Sequence, residues 1–445
     1  MRHGLAALRG ERSACGASRS ANPHRSFLLA PKCGVDDEMV SIKKLKTTKQ
    51  NTARTAMAAA IARAVSRQAS RRVASTDSPC IVGMQAILRD CPRDVLSLAQ
   101  GIVHWSPPEA ALARAEAAVR RPETSLYGRD DGDVELCDAL KKKLAAENGL
   151  TASEVMVTTG ANQAYTNCVL ALTDASDANV LYAPYYFNHL MAHQMTGAAE
   201  NVVFGPTVAG SMQPDIDWLE ETLASRPVKV VTITNPCNPT GVVVAREDIE
   251  RASAACARAG ATLILDNTYE YFLAPGQTHY CLEAEHVVNI FSFSKAYGLM
   301  GWRVGYIAYN ASLAESLLKV QDTIPICPSR ISQQAALGAL EAGRSWVDSR
   351  TAPLQENLSL LRRALAPLPA VHGGEGAIYL LCELPPKLAT YVPHMSPSLS
   401  LALSLFLSLL SLFSLFSLLS RCVVTGSSTS SSSSSSSSSL SFTHL

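Results

Sequence analysis

Lys295, preceded by Ser292 and Ser294 and followed by Arg303, is the part of this 445-residue chain whose residue types and spacing can do chemistry. A lysine at the end of an apolar strand presents a primary amine that condenses with an aldehyde once its ammonium loses a proton. Ser292, Ser294 and Arg303 are placed to bind phosphate oxygens. A guanidinium suits a phosphate dianion because its planar fork donates two parallel hydrogen bonds. Taken alone, a Ser-Lys pair at a strand end followed by glycine also reads as a solvated turn, so other segments must decide.

Those segments occur along the chain in the order such chemistry requires. Val230 to Thr234 reads as a buried strand that empties into Asn235-Pro236-Cys237-Asn238-Pro239-Thr240-Gly241, a defined turn at the strand's carboxyl end, where ligands sit in parallel sheets. Asn238 is placed there to donate to a phenolic oxygen. Thr262 to Leu265 is a second apolar strand, ending in Asp266-Asn267-Thr268-Tyr269. Asp266 can pair with a pyridinium nitrogen and Tyr269 can share the phenolic oxygen, which together with Lys295 describes a site for pyridoxal phosphate. An aspartate in this position also reads as a helix N-cap. Upstream, Val155 to Thr159 runs into Gly160-Ala161-Asn162, whose free backbone N–H groups would open a helix toward an anion. Val180 to Ala183 leads to Pro184-Tyr185-Tyr186-Phe187, where an aromatic ring can stack on the pyridine face or simply pack in the core.

Together these residues resemble the fold type I, class I/II pyridoxal-phosphate aminotransferases, from about Leu96 to about Leu384. The resemblance implies that Lys295 is the cofactor-binding lysine and proton shuttle, Asp266 the pyridine partner, and Asn238 and Tyr269 the phenolate partners. It also implies that Gly160, Ala161, Asn162, Ser292 and Arg303 form the phosphate cup and that Tyr186 stacks on the ring. Gly101 would lie beside the substrate carboxylate, and Tyr127 would reach the phosphate of a neighbouring subunit, which implies a homodimer. The stretches Leu96–Trp105, Tyr185–Asn188, Asn267–Phe272 and Gly373–Leu380 are similar to the plant branch that passes the amino group of methionine to aromatic 2-oxo acids. Its reaction would alternate two half-reactions, ping-pong fashion, on an amino acid and a 2-oxo acid. A lyase of the aminocyclopropane-carboxylate synthase type shares most of these motifs. A non-catalytic isoform that still binds the cofactor or dimerises is the reading from another class.

The expected fold is α/β: a mostly parallel sheet covered on both faces in a large domain spanning 125–335, with a smaller, incomplete α+β domain assembled from 90–124 and 336–390. Arg258 and Gly260 before Thr262 mark a helix end and its cap. The twelve cysteines include no CxxC pair, which speaks against a disulfide framework or zinc site and for a reducing compartment, cytoplasmic or organellar. His189 and His193, four apart, share a helix face and read as a surface pair rather than metal ligands.

The two ends differ from this body. Residues 1–75 hold 15 Lys and Arg against 4 Asp and Glu, and the remainder is acidic. Ile61, Val65, Ala69 and Val73 repeat every four residues, out of phase with Arg63, Arg67 and Arg71, as in an organellar presequence. A disordered basic tail or a start at Met57 or Met84 fits as well, and without interleaved aromatics a nucleic-acid arm does not. Beyond Leu384, residues 391–445 are Leu- and Ser-rich. Ser398 to Ser420 is uncharged and long enough to span a bilayer, yet its regular serines and the run at Ser431–Ser439 look more like translated non-coding sequence than a membrane anchor. The family's substrate-carboxylate arginine finds no motif match there, so weakened activity is expected.

Overall fold

In a computed structural model, residues 69–383 other than 92–94, 96 and 99 are described, together with Pro385. Short apolar runs bounded by turn residues form one seven-stranded sheet: β1 Glu154–Thr158, β2 Asn179–Tyr182, β3 Val202–Gly205, β4 Val230–Thr234, β5 Thr262–Asp266, β6 Val287–Ser292 and β7 Gly305–Tyr309. Their order across the sheet is β1-β7-β6-β5-β4-β2-β3. Because β7 is antiparallel to both β1 and β6 while the other pairs are parallel, six strands point one way. Their carboxyl ends therefore share one edge.

Strands buried on both faces are apolar at successive positions rather than alternate ones. Met156, Val230, Ile264, Val288, Ile290 and Ile307 face the helices Gly160–Leu172 and Ala314–Thr323. The neighbouring positions Val231, Ile233, Leu263 and Leu265 face Ile216–Ser225 and Arg246–Ala259. On the same side Val155, Val157, Phe291, Tyr306 and Ala308 join a cluster that includes residues of Glu109–Val119, Val134–Lys143 and Arg330–Thr351. The helix Arg246–Ala259 ends on Gly260 at φ 68°, the left-handed cap expected there.

Glu109–Val119 packs closely on Arg330–Thr351 because its inward stripe is Ala111, Ala115 and Ala118. Any side chain at Gly338 on the facing helix would run into the Ala110 carbonyl. At the edge of this contact Arg114 donates to both carboxylate oxygens of Glu341, at 2.8 and 2.5 Å. After the helix Leu354–Leu365, β8 Val371–Gly373 and β9 Leu380–Cys382 form an antiparallel pair. From Ser70 the described chain is one compact unit.

Of the basic leader, Arg71–Ala74 is helical; residues 1–68 and the stretch Ser398–Ser420 lie outside the described residues. Among the described residues no helix is long and apolar enough to cross a membrane, and no His, Cys, Asp and Glu group could hold a metal.

Candidate active site

The turn after β6 carries Lys295 three residues beyond the strand's last residue, Ser292. Its Nζ donates to the carbonyl of Gly101 at 2.5 Å. Burial, and then the positive charge of Arg303, lower its pKa to about 8, so a proton leaves this amine far more readily than an exposed lysine. The strap that brings Gly101 there is fixed to the same turn: the Trp105 indole donates to Ala296 O at 3.2 Å, and Gly298, at φ 66°, leaves room for the Trp105 carbonyl.

Asp266 is the last residue of β5 and is buried. One carboxylate oxygen accepts from the Thr268 backbone at 3.0 Å and from its hydroxyl at 2.6 Å; the other is 3.1 Å from His189 Nε2. Burial pushes the carboxyl up, but the donors His189 and Thr268 outweigh it and leave Asp266 below the usual carboxylate range. Nε2 of His189 must then carry the proton, because a carboxylate can only accept. The helix N-cap reading of this aspartate does not hold, because a turn and not a helix follows β5; one oxygen holds that turn, while the second is held by a residue from the helix Phe187–Thr196.

His189 and His193 do not lie on the surface. Both are buried, on the inward face of the helix Phe187–Thr196. Tyr165 stacks on His189 with ring centroids 4.0 Å apart, and its hydroxyl lies 3.0 Å from His193 Nε2 and 2.9 Å from Thr232 Oγ1. Burial and the neighbouring His189 hold His193 neutral, with a pKa of about 4. The surface reading failed because i, i+4 spacing defines a face without saying which way it points.

Around this pair stand the other expected residues. Asn238 is buried in the turn after β4 and lines, with His189 and Tyr185, a small pocket. Tyr186 precedes the helix Phe187–Thr196, accepts from Asn188 Nδ2 at 2.9 Å and meets His189 edge-on. Gly160, Ala161 and Asn162 form the first turn of the helix Gly160–Leu172. The Arg303 guanidinium lies over Gly160, where any Cβ would collide with it, and it donates to Met300 O at 2.8 Å and to Ser294 Oγ at 3.5 Å. Ser292 Oγ accepts from the Ser294 backbone at 3.1 Å. Tyr127 stands apart, 80% exposed.

The sequence profile of aminotransferase class I and II matches residues 93–411. The chain belongs to this family. The matched span runs on past Leu384. Aromatic aminotransferase ISS1 of Arabidopsis thaliana is 50% identical over 322 residues, 71% of this chain and 81% of that protein. Among solved structures, aspartate aminotransferase from Thermus thermophilus with maleate superposes with a TM-score of 0.71 at 26% identity, covering 80% of this chain and 99% of that one. The aromatic aminotransferase from Pyrococcus horikoshii gives 0.60 at 27% identity, over 67% and 82%.

The protein is accordingly a pyridoxal-phosphate-dependent aminotransferase. Its residues fit that cofactor: a cation lies over a glycine whose missing side chain leaves a cradle, a buried carboxylate is held ionised, and an enclosed amine is easily deprotonated. Two participants escaped the reading of the sequence. His189 is one. The other is Tyr379, whose hydroxyl bonds to that of Tyr269 and whose ring meets it edge-on at 5.3 Å. The signal available for Tyr379 was its place within Gly373–Leu380, a stretch valued for its resemblance rather than its chemistry.

Proposed function

We propose that the chain moves an amino group from an aromatic amino acid or methionine to a 2-oxo acid, in two half-reactions at one site. The observation that carries this reading is Lys295, enclosed, hydrogen-bonded to Gly101 and lowered to about 8, at the same sheet edge as an Asp266 carboxyl held low, on the adjacent strand. The choice of donor is supported by the 50% identity to an aromatic aminotransferase.

In this reading Arg303, Ser292 and Ser294 and the N–H groups of Gly160, Ala161 and Asn162 hold the phosphate, where a helix N-terminus and a guanidinium both favour negative charge. Asp266 accepts from the ring nitrogen and keeps its proton in place. Asn238 and Tyr269 donate to the phenolic oxygen, and Tyr186 covers one ring face. When bound, pyridoxal phosphate supplies a ring that draws off the electron pair released at the substrate's α-carbon. Lys295 Nζ takes up the α-proton and returns it two bonds away, on the far side of the nitrogen being transferred. Positioned proton transfer of this kind typically contributes ~10² to 10⁴ in rate. Gly101 lies beside the substrate carboxylate. Tyr127 completes the phosphate site of a second copy, so the working unit is a homodimer.

The test is the visible spectrum of the protein with pyridoxal phosphate, before and after adding phenylalanine, tyrosine, tryptophan or methionine, with Lys295→Ala as control. A Lys295-dependent band that bleaches with these donors and reappears on adding a 2-oxo acid supports the assignment. A band that answers to aspartate alone overturns the donor class.

A further inference from the structure

We propose that Tyr379 is a positioning residue of the cofactor site, acting through Tyr269. The loop that carries it is tied by its backbone to the two turns that bear the proposed phenolate partners. Gly241, ending the Asn238 turn, accepts from Glu375 N and Gly376 N at 3.1 and 3.0 Å; Phe272, just past Tyr269, accepts from Ala377 N at 2.9 Å; and Ala274 N donates to Glu375 O at 2.8 Å. The Glu375 carboxylate also accepts from Val243 N at 3.0 Å. Tyr379 is therefore held against Tyr269 by a frame that does not depend on the two hydroxyls.

Both phenols are buried, and a single hydrogen bond joins their oxygens. Two neutral hydroxyls in such a contact have one donor and one acceptor. Tyr269 can give its proton to a phenolic oxygen only when it is the acceptor here, so Tyr379 is the donor. A phenol that accepts a hydrogen bond is a stronger donor in turn, because bonds in a chain polarise one another. Tyr379 thus fixes which way the Tyr269 proton points and strengthens it. The same hydroxyl packs on Gly101: a Cβ added there would lie 2.5 Å from Tyr379 Oη. Gly101 is the residue whose carbonyl receives Lys295 Nζ. One hydroxyl thus contacts both Tyr269 and the anchor of the lysine.

This inference rests on the proposed contact between Tyr269 and the phenolic oxygen, and the test separates the two. The cofactor-loaded protein and its Tyr379→Phe, Tyr269→Phe and double variants are titrated with pH by visible absorbance. A weaker donor leaves the phenolic oxygen more negative, and that oxygen then holds the neighbouring proton, on the nitrogen joining Lys295 to the cofactor, more tightly. Tyr379→Phe, which keeps the ring and loses only the hydroxyl, is expected to raise the midpoint by about 0.5 in pH, Tyr269→Phe by about 1, and the double variant by no more than Tyr269→Phe. An unmoved midpoint in Tyr379→Phe overturns the proposal while Tyr269 keeps its role. An unmoved midpoint in Tyr269→Phe overturns that role and the proposal with it. A Tyr379→Phe shift that persists in the Tyr269→Phe background, or a larger effect than Tyr269→Phe including failure to load cofactor, overturns it as well.

Discussion

Lys295 owes its reactivity to enclosure, and that has a pH signature. Only the free amine attacks an aldehyde, so capture of pyridoxal phosphate by the cofactor-free protein is expected to speed up as pH rises and to level off above about 8, the lowered pKa of this group, rather than above the ordinary lysine value. Stopped-flow absorbance between pH 6 and 10, on the order of the interval separating the two cases, measures this directly. Asp266 supplies the opposite limb. Its carboxyl is held low by donors that include His189, so His189→Phe raises it and moves the acid-side loss of activity to higher pH. A pH–rate profile shows the displacement; an unchanged acid limb would mean that Thr268 alone sustains the carboxylate. Asp266 was legible in the sequence because a strand end is a marked place. His189 was not, since its partner is 77 residues away and its helix face could be assigned only from the packing.

Two contacts between elements differ in kind although both look like fasteners. The Arg114–Glu341 pair joins two helices at their solvent edge, and pairs of that type contribute about 0.2–1 kcal/mol. Gly338, in the same interface, meets the backbone of the facing helix, and Gly338→Val must push the helices apart, at about 1–3 kcal/mol. Denaturant midpoints of the two variants should therefore rank Gly338→Val as the more damaging. Deeper in, Lys143, the last residue of Val134–Lys143, donates to both oxygens of Glu270 at 2.6 and 2.7 Å, and both side chains are buried. Lys143→Met strands that carboxylate and is expected to cost about 3–5 kcal/mol, most of which returns in Lys143→Met/Glu270→Leu. The strands themselves were readable as apolar runs because both faces of the sheet are covered. The reversal of β7 was also within reach: the link from Ser292 to Gly305 is filled by the Lys295 turn and has no α-helix, the usual means of a parallel return. The small-residue contact of Glu109–Val119 with Arg330–Thr351 was not readable, since nothing in either segment names the other.

The site as a whole is gathered from the strap at Gly101, the ends of the five co-directional strands β1, β2, β4, β5 and β6 and their turns, and the loop before β9. In the proposed homodimer the exposed Tyr127 reaches the phosphate site of the other copy, and a mixing experiment tests this. Lys295→Ala and Tyr127→Phe each impair every site of their own homodimer. In a mixed dimer one site receives both defects and the other receives neither, so unfolding and refolding the two together should restore about a quarter of the wild-type sites. Activity that stays at the sum of the two parents would place Tyr127 in its own protomer's site or outside it. Gly101 and Tyr379, whose hydroxyl leaves no room for a side chain at Gly101, stand near opposite ends of the described chain. During synthesis, at about 5–20 residues per second, the turn bearing Tyr269 leaves the ribosome seconds before Tyr379 does. For that interval the Tyr269 hydroxyl is without the partner that Tyr379 supplies in the finished fold.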